Sequence, residues 1–260
     1  MISIITINYN NKEGLRKTIE SVVFQTSKDF EWIVIDGGST DGSKEIIDEY
    51  SNYMSYYISE PDDGIYNAMN KGIMVSKGDY LLFLNSGDSL SNKDTLIEAQ
   101  LYLVDKDIYV GRIHSMGKNN ESVIEQDDFS PEGILRKLTF TWIPHQASFI
   151  KKRVFEKYGL YREDQKIVSD WWFYFRSLVL NNCSIASIPI TVANYDTSGV
   201  SHTNHNEALV EQKNLLKEFP AISVYYHFYK ENHDIIQILR GNRFLFWLYR
   251  LYYYFFRKLH

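Results

Sequence analysis

The feature that most constrains this chain is a repeated switch of hydrophobic period over its first hundred residues. Residues 2–7 form an unbroken β-rich run that ends in polar Asn8-Tyr9-Asn10-Asn11, after which Leu15, Ile19, Val22 and Val23 recur at the spacing of one helix face. Residues 30–35 are a second strand stopping at Asp36, and the turn-rich stretch 37–42 leads into a helix carrying Ile46, Ile47 and Tyr50. A third strand around 56–58 precedes a helix with Ile65, Ala68, Met69, Gly72 and Ile73 on one side. A fourth, 80–84, is almost wholly apolar, as a central strand covered on both faces should be. The order βαβαβαβ predicts an α/β fold with a mostly parallel sheet, right-handed crossovers and flanking helices. Ligands of such sheets bind beyond the carboxyl ends of the strands. Here those ends are Asn8-Tyr9-Asn10, Asp36-Gly37-Gly38, Ser59-Glu60-Pro61-Asp62-Asp63 and Asn85-Ser86-Gly87-Asp88, all polar and three of them acidic.

Beyond Asp88 the rhythm loosens. A helix around 93–104 and a strand at 108–110 are followed by a charged, irregular stretch near 115–130 and then by the segment 141–150. Ser169-Asp170-Trp171-Trp172-Phe173 reads as helix, 184–193 as strand, and the pattern from about 205 onwards is helical. With no internal repeat or low-complexity linker, we expect one domain over 1–205, in halves 1–100 and 101–205, and a helical C-terminal extension over 206–260.

A net charge of -5 argues against a surface that wraps nucleic acid. The single cysteine, Cys183, excludes an intramolecular disulfide and any zinc site built on several thiolates, and fits a reducing compartment. The N-terminus has no basic region before its apolar run, so it reads as a buried strand rather than a secretion signal. The longest apolar candidate, 244–256, is interrupted by Arg250 and falls short of the ~20 residues of a membrane-spanning helix. Charge is nevertheless uneven: residues 235–260 hold +5, from Arg240, Arg243, Arg250, Arg257 and Lys258, and the rest of the chain holds -10.

At the strand ends, Asp41 suits a helix cap. Asp36 closes an otherwise apolar run and so needs a partner, for which a nucleotide base offering an N–H is one choice. Asp88, beyond the most apolar strand, has the oxygen chemistry to ligate a hard divalent cation that also binds diphosphate oxygens. Neither the Gly-x-Gly-x-x-Gly fingerprint nor the P-loop signature occurs, so a dinucleotide or P-loop phosphate site lacks support.

The four segments 4–10, 34–42, 59–72 and 82–88, in this order and spacing, resemble the successive motifs of family 2 glycosyltransferases of the GT-A fold. Pro144-His145-Gln146 and Ser169-Asp170-Trp171 resemble that family's acceptor half. The resemblance implies that 1–100 bind the nucleotide-sugar and 101–205 the acceptor. It implies a donor site formed by Asn8, Asn10, Asp36 at the base, Gly37, Asp63 near the ribose or pyrophosphate, Asn85 and Gly87. Asp170 takes the position of the catalytic base, with His145, Gln146 and Trp171 beside the acceptor. Asp88 becomes the ligand of Mn²⁺ or Mg²⁺, and His202, in a loop 196–202 hinged at Gly199, a second metal contact. The family's Asp-x-Asp segment is Asn85-Ser86-Gly87-Asp88 here, with only its last acid retained, and Ser169 replaces the acid that usually precedes the base.

The expected activity is inverting transfer of a sugar from a nucleotide-diphosphate donor, a UDP-sugar, to a hydroxyl of a glycan or lipid-linked oligosaccharide. The expected place is the cytoplasm at the inner face of the cell membrane, reached through peripheral contact by 240–260, and a homo-oligomer is left open. Two alternatives stand beside it. A sugar-nucleotide nucleotidylyltransferase would carry a Gly-rich N-terminal loop with basic residues, where this chain has Asn8-Tyr9-Asn10-Asn11-Lys12. A non-catalytic nucleotide-sugar or glycan-binding module is suggested by the missing acids at Asn85 and Ser169, and formation of product separates it from an enzyme.

Overall fold

The computed structural model describes residues 1–116, 121–196 and 205–220, with Ser223 and Tyr226. The chain divides into two units, Met1–Glu211 and Gln212–His260, and the first carries the sheet.

The N-terminal elements follow the periodicity. β1 (Ile2–Asn8), β2 (Phe30–Asp36) and β4 (Tyr80–Phe83) are buried almost throughout, so their side chains are covered on both faces of the sheet. α1 (Lys12–Val23) starts where the Asn11 carboxamide accepts the Gly14 N–H at 3.1 Å, satisfying one of the amide groups a helix start leaves free. Its Leu15, Ile19 and Val22 face the core. α2 (Ser43–Tyr50) and α3 (Ile65–Val75) connect β2 to β3 (Tyr56–Ser59) and β3 to β4. The pairs β3–β2, β2–β1 and β1–β4 are all parallel. Register sets Asn8 opposite Asp36 and Asp36 opposite Ser59, so one row of polar residues crosses the carboxyl ends of three strands.

The second half, where the sequence rhythm loosens, mixes directions, and the parallel pairing expected from the βαβ alternation is found in the first. β5 (Ser89–Leu90) and α4 (Thr95–Gln100) lead to β6 (Ile108–Met116) and β7 (Glu121–Ile124). These are followed by α5 (Pro131–Phe140), a 3₁₀ turn at His145–Ala147, β8 (Ser148–Lys151) and α6 (Lys152–Tyr158). α7 (Ser169–Tyr174), wound more loosely as a π-helix over Phe175–Leu180, precedes β9 (Ile185–Asp196) and α8 (His205–Lys217). β8 pairs antiparallel with β4 and with β6, β6 pairs parallel with β9, and β9 pairs antiparallel with β5. β6 and β7 lie too close in sequence for a crossover helix and therefore pair antiparallel. The result is a mixed sheet in the order β3-β2-β1-β4-β8-β6-β9-β5, flanked by helices, with β7 added on β6. Among the described residues, no helix is long and apolar enough to cross a membrane.

α3 approaches β1 closely because position 72 has no side chain. A Cβ on Gly72 would lie 2.4 Å from Cγ2 of fully buried Ile5. Gly72→Ala therefore overpacks this contact, with an expected loss of about 1–3 kcal/mol in urea unfolding. An unchanged midpoint would mean that Ile5 repacks without cost.

Candidate active site

A cavity of about 770 Å³ opens beyond the carboxyl ends of β1, β2 and β4. It is lined by Asn8 and Tyr9 after β1, Gly37 after β2, Asp62 between β3 and α3, Asn85 and Asp88 after β4, His145 and Gln146 in the 3₁₀ turn, and Tyr195 and Asp196 at the end of β9. A larger cavity, about 870 Å³, lies at the opposite end of the strands, around Met1, Lys77, Asp79 and Arg153. It contains none of the residues nominated by the sequence, so the chemistry belongs to the smaller one.

Asp36 does not line the cavity. It is fully buried, and both carboxylate oxygens are engaged. Oδ1 accepts from Asn8 Nδ2 at 2.7 Å and Ser39 Oγ at 2.6 Å; Oδ2 accepts from Ser39 N at 2.9 Å and Ser59 Oγ at 2.6 Å. Burial pushes this carboxyl up, but the bonds from Ser39, Ser59 and Asn8 outweigh it and hold it below its ordinary value of 3.8. The sequence assigned Asp36 to a base; the structure gives its acceptor capacity to three neighbouring side chains and one amide. Asn8 sits between this knot and the cavity. Its Nδ2 must face the carboxylate, since the carboxylate offers only acceptors, and its buried Oδ1 is left without a donor among the described residues.

The loop after β4 is tied to α1. Asn11 Nδ2 donates to Ser86 O at 3.1 Å, Gly87 N donates to Thr18 Oγ1 at 3.1 Å, and Thr18 Oγ1 donates to Asp88 O at 2.6 Å. Gly87 has φ +105°, and a Cβ there would come 3.1 Å from Asp196 Oδ2, so both backbone and neighbour call for glycine. Asp88 Oδ1 accepts the Asp196 N–H at 2.9 Å. Burial pushes the Asp88 carboxyl up to about 6; the Asp196 amide bond, His145 and Gln146 pull it down, and the Asp196 charge pushes it further up. Asp88 and the half-buried Asp196 beside it offer oxygen ligands of the kind that suit Mn²⁺ or Mg²⁺. Among the described residues no group of three His, Cys, Asp or Glu could hold a metal by itself, so diphosphate oxygens and water would complete the shell.

Asp170, on the first turn of α7, lies behind the cavity wall. Its Oδ2 meets His145 Nδ1 at 3.1 Å, and Oδ1 accepts from Tyr66 Oη at 3.1 Å and Trp171 N at 2.8 Å. Its side chain is 25% exposed, against 11% for His145. The other ring nitrogen of His145, Nε2, is 3.3 Å from Asn85 Nδ2. Burial, together with the Asp170 charge, keeps the Tyr66 hydroxyl protonated and donating. Glu211 fixes the start of α7 by accepting from the amides of Lys166, Ile167 and Val168.

Of the nominated residues, the cavity thus brings together Asn8, Gly37, Asn85, Asp88, His145 and Gln146. Asn10 stands beside it, its amide donating to Ser39 Oγ and its carboxamide oxygen accepting from Thr40 N. Gly87 shapes the Asp88 loop from behind. Asp63 is exposed and does not line the cavity; its neighbour Asp62 does. Trp171 is buried, donates its indole N–H to Leu138 O at 2.7 Å and stacks on Phe175, which makes it core rather than an acceptor platform. His202 and the loop 197–204 lie outside the described residues. Tyr9 and Tyr195 were not nominated, and Asp196 entered only as the start of the 196–202 loop; a tyrosine inside the first strand-end motif and an acid closing the last strand were the available signals.

Residues 3–174 match the model of Glycosyl transferase family 2. An uncharacterized glycosyltransferase of Mycobacterium tuberculosis is 34% identical over 209 residues, covering 79% of this chain and 78% of that protein. A PGL/p-HBAD biosynthesis glycosyltransferase of Mycobacterium bovis is 28% identical over 238 residues, covering 85% and 84%. Among solved structures, S. aureus TarS in complex with UDP-GlcNAc superimposes with a TM-score of 0.64 at 18% identity over 78% of this chain. A mannosyltransferase from Pyrobaculum calidifontis in complex with GDP-Man and Mn²⁺ gives 0.56 at 17% over 75%. The chain spans 60% and 56% of those two solved chains, and at such identities the likeness is one of fold.

The Asp36 knot generates a stability prediction. Asp36→Ala strands buried donors of Asn8, Ser39 and Ser59, and should cost about 3 kcal/mol or more in urea unfolding, at ~1–3 kcal/mol for each unsatisfied group. A carboxyl held low in the folded state contributes stability that is present above its unfolded value and lost as pH falls through the folded one. Stability measured below pH ~4 should therefore fall more steeply in the wild type than in Asp36→Asn, and parallel acid limbs would remove Asp36 from this role.

Proposed function

The chain belongs to glycosyl transferase family 2, and from that premise we propose that it transfers a sugar from a UDP-sugar to a hydroxyl of a glycan or lipid-linked oligosaccharide, with inversion at the anomeric carbon. The observation that carries this reading is the pairing, across one cavity wall, of the Asp88–Asp196 loop with His145 and the Asp170 behind it. The cavity is large enough for a nucleotide-sugar, and His145 links its wall to Asp170.

Asp170 Oδ2 takes the proton of the acceptor hydroxyl as that oxygen attacks the anomeric carbon, and the bond to the nucleoside diphosphate breaks in the same displacement. His145 and Tyr66 hold the carboxylate in place, and the protonated Tyr66 cannot compete with it as a base. No covalent sugar intermediate is required. Asp88 and Asp196 are the residues that would hold Mn²⁺ or Mg²⁺, whose charge offsets that developing on the departing diphosphate. Purified protein with Mn²⁺ or Mg²⁺ and a panel of UDP-, GDP- and dTDP-sugars should release nucleotide, with UDP-sugars preferred. A panel without any release would remove the activity.

Two variants test the parts. Asp170→Asn keeps the shape but not the base, so transfer should fall ~10²–10⁴-fold while UDP affinity holds; transfer within a few-fold of wild type moves the base elsewhere. The basic, aromatic tail, 240–260, lies outside the described residues. Its composition supports peripheral contact with anionic lipid at the inner membrane face, at roughly 1 kcal/mol per Lys or Arg. Deleting it should shift the protein from vesicle-bound to free in a sedimentation assay with donor hydrolysis intact, and a truncated protein still on vesicles would refute the contact.

A further inference from the structure

The nucleotide reading requires a group that recognises the base, and the Asp36 knot withdraws the residue nominated for it. Four hydrogen bonds occupy both Asp36 oxygens, and the residue has no exposed surface. A ligand could use Asp36 only by displacing one of those donors.

A second carboxylate stands where a side chain of residue 37 would be. A Cβ built on Gly37 falls 2.7 Å from Asp62 Oδ2 and 3.1 Å from Cδ2 of Tyr9. Asp62 therefore reaches over the end of β2 from the loop between β3 and α3, into the space that the missing side chain leaves. One of its oxygens is used locally, Oδ1 accepting the Gly64 N–H at 2.9 Å. The other, Oδ2, has no hydrogen-bond partner among the described residues, and Asp62 lines the cavity beside Tyr9, a residue 67% exposed. An unengaged carboxylate oxygen next to an exposed aromatic face, above a glycine, offers a flat ring both a stacking surface and an acceptor.

We propose that Asp62 is the specificity-determining residue for the nucleobase, its Oδ2 accepting the ring N–H of a base that carries one beside a carbonyl. Uracil and guanine have such a donor. Cytosine presents a lone pair at the corresponding ring nitrogen, which a carboxylate repels. The position of Asp62 depends on glycine at 37, because any side chain there would occupy the place of its carboxylate. This inference rests on the nucleotide-sugar reading given above.

Calorimetry with Mn²⁺ present, using UDP, CDP and UDP methylated at base N3, tests it. The wild type should bind UDP at least about tenfold tighter than either of the other two, the scale of one hydrogen bond to a charged acceptor. Asp62→Ala should lose that preference and bind all three within about twofold. Gly37→Ala is a second route to the same result. Gly37 does not adopt a left-handed backbone, so alanine is tolerated there, and its Cβ displaces the Asp62 carboxylate. Preference for UDP should fall with it while the thermal midpoint holds. An Asp62→Ala protein, or a folded Gly37→Ala protein should the first not fold, that keeps the wild-type preference overturns the assignment of Asp62 and leaves the donor site standing. A wild type that binds none of the three nucleotides overturns the nucleotide reading, and Asp62 with it.

Discussion

The carboxylate of Asp36 is the interaction on which the site-bearing end of the sheet depends. Parallel pairing sets Asn8, Asp36 and Ser59 side by side across β1, β2 and β3, and a row of polar groups there would be costly if its members were unmatched. One ionised carboxylate resolves this by accepting from all of them and from Ser39, whose Oγ also receives the Asn10 amide. The strand ends and the loops that follow them are thus held at fixed positions by a single charge without solvent. Tyr9, Gly37 and Asp62, which form the open wall of the cavity, all sit on segments that this knot fixes.

A second set of bonds connects the two halves of the unit. Tyr66, on α3, donates to Ile167 O at 2.6 Å and to Asp170 Oδ1, and Asn70 one turn later bonds Tyr161 O and Glu163. The helix that follows the third strand end therefore carries the start of α7, where Asp170 stands. Aromatic packing from Phe83, Phe155, Tyr161 and Phe173 fills the space beneath. Residues of the two halves keep their spacing because they share this core.

How much of this the sequence discloses follows from what a pattern encodes. The strands β1, β2 and β4 are buried on both faces and read as continuous apolar runs, so the first half was legible with its boundaries nearly correct. In the second half β5 has two residues, β9 pairs with both β5 and β6, and the β6–β9 register shifts between Val110 and Ile113. Nothing in local periodicity marks such long-range choices. The site divides the same way. Strand-end segments could be named, but not which acid lines the cavity, as Asp62 does, and which is already spent within the fold, as Asp36 is. The same limit holds for Trp171: an indole beside a candidate base looks the same in sequence whether it faces a sugar or, as here, Phe175 and Leu138 O.

The segment Asn85-Ser86-Gly87-Asp88 shows why counting acids within one motif misleads. Two of its positions lack the carboxylates of the form it resembles, which read in sequence as a weakened cation site. In space, Gly87 turns the backbone through φ +105° and leaves room for Asp196, whose Oδ2 lies 3.1 Å from the absent Cβ and whose amide binds Asp88 Oδ1. An acid at position 87 would be strained by that backbone and would collide with Asp196. An acid thus reaches the Asp88 loop from the end of β9, more than a hundred residues away, and glycine at 87 leaves room for its approach.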